Sequence, residues 1–337
     1  MRITIVGAGL AGCWLAWRLL DRGIDVTVVD PLPSVSSSTV AAGLINPITG
    51  PRFQTTWKGA LVVPLAEQAY GAVARSTGAT VMRSLRLRRL LRDADSVRRV
   101  QQRQEQGEYD WLDVHTLPAG SMDGVDAAHG AIDVPALAIN TEAFLHAVRS
   151  RIRAEGTMLE SHADATIVPG PPADIVVWCM GWHAATDPRW SWIPFAPVRG
   201  DILDVYIPGY DIPYILTGGV WLIPMGNCQY RLGSTYDWEA LHTTPLPEKA
   251  EELLVKAQAL IRRPLTVLNH KAAVRPAILT RRPVIGAHPD NPRHWIFNGL
   301  GTKGAVLAPW MSAHLTECIL DGAEPDPETT ISQYLPR

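Results

Sequence analysis

The chain has 337 residues, 47% of them hydrophobic and 19% charged, a globular balance with length enough for two domains. Its formal net charge of −2 excludes a global attraction to nucleic acid or an anionic membrane surface. Four cysteines (Cys13, Cys179, Cys228 and Cys318) form no CxxC pair and no metal-ligand spacing, so no metal is expected and a reduced, cytoplasmic compartment is.

The first thirty residues organise the rest. Ile3, Ile5 and Val6 read as a short buried strand. Gly7-Ala8-Gly9-Leu10-Ala11-Gly12 follows as GxGxxG, and Leu10, Cys13, Trp14, Trp17 and Leu20 recur at helical spacing. In this pattern the first glycine makes the tight turn, the second admits a pyrophosphate to the backbone, and the third packs helix on strand. Gly23 stops the helix, Val26 to Val29 is a second buried strand, and Asp30 ends it where a carboxylate can hold both ribose hydroxyls of an adenosine. The acid favours FAD or NAD over NADP, and the motif does not separate those two. This apolar start is therefore the first strand of the fold rather than a signal peptide, and no apolar run is long enough to span a bilayer.

Pro31 to Ser38 reads as a loop. The small residues Ala41, Ala42 and Gly43 that follow would let backbone lie against a flat ring; taken alone the stretch also reads as a Gly/Pro-rich connector. A helix is expected over residues 56–74, with Leu61, Leu65 and Ala69 on one face. Leu85 to Arg92 alternates like a half-exposed strand, and Asp93 suits the cap of a helix running to about Gln106. The arginines from Arg83 to Arg103 form the strongest charge cluster. They read as a solvated face offset by Asp93, Asp95, Glu105 and Glu108, with a polyanion-binding face as the alternative. Residues 130–137 lead into a helix over residues 141–154, then a strand begins at Met158. Residues 173–181 form a further strand ending at Gly181, where the chain can approach a ligand closely. From Ile193 to Asp237 short strands separated by Pro and Gly suggest an antiparallel sheet, followed by an amphipathic helix from Pro247. Trp295 to Phe297 is a strand that enters a second glycine turn, Gly299 to Gly304, and a helix to about Leu320. The open amides and partial positive charge of such a helix start suit the negative charge of a reduced flavin, through Thr302, Lys303 and Gly304.

Together these stretches resemble the FAD-dependent D-amino-acid oxidase superfamily, in its glycine oxidase and sarcosine oxidase branch. The residues that carry the resemblance are Gly7 to Gly12, Asp30, residues 41–44 and 173–181, Pro197 to Gly200, Val274 to Pro276, Arg282 to Gly286 and residues 299–309. The chain is also similar to the oxidoreductase domain of a bifunctional enzyme that modifies the tRNA wobble uridine. The resemblance implies an α/β chain, α+β overall, with a Rossmann-like FAD-binding domain (residues 1–60, 130–192 and 270–337) and an antiparallel-sheet substrate domain (61–129 and 193–269). It implies non-covalent FAD, since Ala277 stands where the sarcosine branch links its flavin through cysteine. The implied cofactor residues are Gly7, Ala8, Gly9, Leu10, Ala11, Gly12, Asp30, Thr39, Ala42, Gly43, Leu44, Gly181, Gly299, Gly301, Thr302, Lys303 and Gly304. Arg275 matches the arginine that holds a substrate carboxylate, so the implied catalytic set is Arg275, Lys303 and Tyr236; Trp57, Trp221 and Tyr230 are further pocket aromatics. Thr302 departs from the glycine oxidase pattern, which has an arginine there. The implied reaction is oxidation of a small-molecule amine or amino acid to an imine, with oxygen or another carrier as electron acceptor and no nucleic-acid partner. A tRNA-modifying oxidoreductase and a non-catalytic maturation flavoprotein are the alternatives.

Overall fold

The computed structural model describes residues 1–162 and 174–335. The strand expected over residues 173–181 thus has its first residue, Ala173, outside the described residues. In chain order the first half contains β1 (Arg2–Val6), α1 (Leu10–Asp21), β2 (Asp25–Val29), α2 (Ser37–Val40), β3 (Leu44–Ile45), β4 (Ile48–Thr49), β5 (Gln54–Thr55), α3 (Gly59–Thr77), β6 (Met82–Leu90) and α4 (Ala94–Glu105). Next come β7 (His115–Leu117), β8 (Gly120–Met122), β9 (Val125–Ala127), β10 (Ala131–Ile139), α5 (Thr141–Glu155), β11 (Thr157–Leu159) and β12 (Ile175–Trp178). The remainder contains β13 (Val198–Tyr206), β14 (Ile215–Thr217), β15 (Trp221–Gly226), β16 (Gln229–Gly233), α6 (Pro247–Ile261), β17 (Thr266–Arg275), β18 (Val284–His288), β19 (Asn291–Asn298) and α7 (Gly304–Leu320).

Two sheets carry the fold. The first has the order β11-β2-β1-β12-β19-β18, parallel throughout except for the β18–β19 hairpin. Its middle strands are apolar on both faces because both are covered. Ile3 and Ile5 point into a core shared with α1, α3, α5 and α7, whereas Val6 points into the opposite cluster with Trp178, Trp190 and Ile296. Trp14, Tyr70 and Phe144 join α1, α3 and α5, with ring centroids 4.7–5.2 Å apart in stacked and edge-on pairs. Such pairs add about 0.5–1.5 kcal/mol each beyond the area they bury.

The second sheet has the order β17-β13-β16-β15-β14-β6-β10-β3, with β7 also on β10. It is antiparallel except for the β14–β6 pair, which is parallel. Some elements fall on a different side from the sequence partition. β10, within the stretch assigned to the first domain, lies inside the second sheet, and so does β17 from residue 270 onward. Conversely α3 packs into the first core. Its buried face is Val62, Ala66, Ala69, Tyr70 and Val73, while Leu61 is 47% exposed, because the apolar stripe is rotated from the one its leucines suggested. Other local expectations match: Asp93 caps α4 through Ser96 N at 2.7 Å, and α6 starts on Pro247. Among the described residues no helix is long and apolar enough to cross a membrane.

Candidate functional site

β1 ends on Gly7, whose φ of +108° only glycine adopts freely, and whose missing Cβ leaves room for the carbonyl of Cys179. Gly12 is fixed more strictly: a Cβ there would overlap the Gly7 carbonyl, so α1 can approach β1 only without a side chain. Asp30 ties the turn together, accepting the Ala8 amide at Oδ2 and the Leu32 amide at Oδ1, both at 2.6 Å. From α5, Arg149 donates to the Ala8 carbonyl at 2.7 Å. Ser38 accepts the first amide of α1, from Leu10, at 3.0 Å, and a Cβ on Gly9 would meet that hydroxyl at 2.8 Å.

A cavity of about 1820 Å³ runs from this turn to the second sheet. Small-molecule sites usually measure roughly 300–1,000 Å³, so the space suits a dinucleotide together with a further molecule. Its wall includes Gly7, Gly9, Leu10, Ala11, Asp30, Ala42, Gly43, Leu44, Gly181, Gly299, Gly301, Thr302, Lys303, Gly304, Tyr236 and Arg275. Three expected residues are not on it. Ala8 and Gly12 lie behind the turn, and Thr39 is used by the capping box of α2, exchanging hydrogen bonds with Ser36. Ser36, Ser37 and Ser38 face the cavity instead. Of the other aromatics, Trp221 is on the wall. Trp57 bonds Glu328 and packs on Trp310 outside, and the Tyr230 hydroxyl is consumed by Ile212 N and Tyr210 O.

The second glycine turn leads from β19 into α7. Gly301 N donates to the Pro276 carbonyl at 3.0 Å, which brings α7's start against the end of β17. Lys303, the residue before α7, donates from Nζ to Thr56 Oγ1 at 2.8 Å and Thr49 Oγ1 at 3.3 Å. No carboxylate pairs with it among the described residues, and burial, with a smaller contribution from Arg282, lowers its ammonium to about 8. Arg89 flanks the same short hairpin, donating to the carbonyls of Ile48 and Gly50 and lying over the Phe53 ring at 4.0 Å; burial lowers its guanidinium to about 10.

Arg275 ends β17. Its guanidinium lies across β13 in the space left by Gly200, where any Cβ would collide with it. It donates from Nη1 to the carbonyls of Thr235 at 3.2 Å and Arg199 at 3.4 Å, and sits 4.8 Å from the Tyr236 ring centre. It too has no carboxylate partner among the described residues, and burial pushes its pKa down. A half-buried guanidinium held only by carbonyls and a ring keeps donors for an incoming anion.

Arg89, Arg149, Thr49 and Thr56 were missed by the sequence reading. Arg89 sat within a charged run in which Arg86, Arg88, Arg98 and Arg103 pair with Asp133, Asp113, Asp123, Asp95 and Glu108, while Arg83 and Arg99 donate to the carbonyls of Pro224 and Pro51. Asp95 and Glu108 are among the acids expected to offset the run, while Asp133, Asp113 and Asp123 come from β10 and the β7–β9 region, which the strand pairing brings alongside β6.

A mostly parallel sheet with a glycine turn, a helix and an acid at the end of β2, joined to a mostly antiparallel sheet across one large cavity, is the architecture of a dinucleotide-binding protein. The chain belongs to the FAD dependent oxidoreductase family DAO, whose family model matches residues 2–318. It is 29% identical over 299 residues to a D-amino-acid oxidase of Rubrobacter xylanophilus, covering 82% of each chain. Solved structures with the same fold include glycine oxidase from Geobacillus kaustophilus, with a TM-score of 0.79 at 17% identity over 96% of each chain. Iminodiacetate oxidase from Chelativorans sp. gives 0.79 at 19% identity over 99% of each. The cofactor of the chain is thus FAD.

Proposed function

We propose that the protein oxidises the carbon–nitrogen bond of a small amino acid or amine, giving an imine that water hydrolyses. The observation that carries this reading is Arg275, a desolvated guanidinium facing the cavity with no carboxylate partner among the described residues. The named activity of the Rubrobacter relative supports it. The six-stranded layer is read as the FAD-binding domain and the nine-stranded layer as the substrate domain.

The residues present fit FAD. Gly9 adds no side chain of its own at the start of α1, where the Ser38 hydroxyl takes the Leu10 amide, and Asp30 keeps acceptor capacity beyond its two amides for ribose hydroxyls. Ala42, Gly43 and Leu44 offer a flat, small-residue wall for the ring, and the uncapped start of α7 with Lys303 offers positive charge near it. When bound, FAD supplies the hydride acceptor.

The chain's own residues then bind and orient. Arg275 holds the substrate carboxylate bidentately, which fixes the neighbouring C–H bond. Tyr236 limits the guanidinium to one plane from its ring face. Lys303, kept dry by its two threonines, stabilises negative charge that develops beside α7.

An anaerobic titration of the yellow protein with glycine, sarcosine, D-alanine, D-proline and simple alkylamines tests this. Loss of flavin absorbance with an amino acid is expected, and air then separates an oxidase from a dehydrogenase. Bleaching by alkylamines alone would remove Arg275 from its role. No bleaching by any member would overturn the reading.

A further inference from the structure

Beyond Arg275, the cavity wall includes three large apolar side chains that the fold leaves in water. Tyr236 is 51% exposed, Trp238 64% and Leu279 69%, and none of them joins an apolar core cluster. Contiguous exposed apolar surface at the rim of a cavity marks a place where something apolar binds.

Backbone pairing places them along one segment, with Tyr236 and Trp238 on one side of it and Leu279 on the other, four residues away. Asp237 pairs with Arg199 on one side of the chain entering β13, and Ile278 pairs with Phe195 on the other. Trp238 and Leu279 therefore flank the same entry to the sheet. The Tyr236 and Trp238 rings are stacked, with centroids 6.1 Å apart and planes 25° apart, and the Arg275 guanidinium lies over Tyr236. Guanidinium, phenol and indole thus make one continuous ladder.

The backbone under this ladder is held at both ends. Asp201 N donates to Thr235 Oγ1 at 2.8 Å, and the fully buried Arg199 donates to Asp201 at 2.9 Å and to the Thr244 carbonyl at 2.7 Å. Midway, the Asp237 carboxylate accepts the amides of Glu239 and Ala240 and pairs with Lys249 at 3.0 Å. Two exposed rings on a fixed backbone form a prepared shelf, and the side-chain entropy lost on binding is small for residues with two torsions.

We infer that Trp238, with Tyr236 and Leu279, forms the side-chain subsite for an amino acid substrate whose side chain is aromatic. The inference rests on the reading of Arg275 as carboxylate anchor. The charge complementarity is specific: a cation joined to an apolar shelf matches a carboxylate joined to a flat ring, and the Asp237 carboxylate nearby is already neutralised by Lys249.

Calorimetry on the FAD-loaded protein tests it with amine-free carboxylates: phenylacetate and 2-naphthylacetate against butyrate and hexanoate. The aromatic pair is expected to bind about tenfold more tightly than the aliphatic pair. Trp238→Ala should erase that advantage and leave the aliphatic constants unchanged, Trp238→Phe should retain it, and Arg275→Lys should weaken all four together. Equal binding of the two pairs, or equal loss of all four in Trp238→Ala, overturns the subsite while leaving the Arg275 reading intact. Failure of every carboxylate to bind overturns both. A lower oligomeric state of Trp238→Ala than of the wild type by size-exclusion chromatography, with ligand binding unaltered, would make the shelf a contact between copies and overturn the inference.

Discussion

Replacing Lys303 by methionine separates the cost of its charge from everything else at the site. The ammonium ordinarily titrates at 10.5 and is lowered to about 8 by burial. At 1.36 kcal/mol per unit, the folded apoprotein carries about 3 kcal/mol for keeping that charge dry at neutral pH. The direction follows from proton counts. Below about pH 8 both folded and unfolded chains hold the proton, and the full cost is present. Between about 8 and 10.5 the folded chain has released it while the unfolded chain still holds it, so stability rises with pH. Urea unfolding of the wild-type and Lys303→Met apoproteins at a series of pH values reads this directly. Hydrogen bonds to Thr49 and Thr56 are lost in the variant at every pH, and the other titrating groups are common to both proteins. The difference between the two should therefore shift by about 3 kcal/mol in favour of the wild type from pH 7 to pH 10.5. A difference flat to within about 0.5 kcal/mol, the usual error of additivity, would refute the claim that Lys303 is an uncompensated buried cation.

Gly12→Ala places a methyl against the Gly7 carbonyl, which is backbone and cannot turn aside. It should cost about 1–3 kcal/mol in denaturant unfolding and yield protein with little bound flavin. Gly200→Ala displaces the Arg275 guanidinium from across β13. Flavin content should be unchanged while KM for a carboxylate-bearing substrate rises about tenfold, measured by steady-state kinetics. Asp30→Asn removes the charge-assisted bond to Ala8 N and the one proposed to the ribose, and fluorescence titration with FAD should show a dissociation constant higher by about tenfold or more.

How much of this was legible in the sequence depended on how local the cause is. The turn at Gly7 to Gly12, the acid at Asp30 and the second turn before α7 are set by neighbours within a few residues, and each stands where its pattern put it. Strand β10 is different. Pro135 in its centre argues against a strand, because proline cannot donate to a ladder. The structure accommodates it in a gap: on one side β10 pairs with β6 along its whole length, while on the other β7 covers residues 131–133 and β3 covers 137–138. No rule of spacing announces such a gap. Thr39 shows the same limit at the site, since its hydroxyl could serve a ligand or a cap and only the conformation of residues 36–39 decides for the cap. Arg89 is legible as a charge, but its desolvation comes from the hairpin of residues 48–55, forty residues earlier in the chain.

The strand order has a consequence for how the protein comes into being. β12 lies between β1 and β19, and the cavity is walled both by Gly7 and by Gly304. At roughly 5–20 residues per second, about 15 to 60 s separate the synthesis of those two glycines. During that interval the side of the β1–α1 core that α7 covers stays open, and no fragment short of α7 can form the cavity wall at Gly304. Enclosure of FAD by both turns therefore follows the synthesis of α7, and its binding energy favours a fold that already contains that helix.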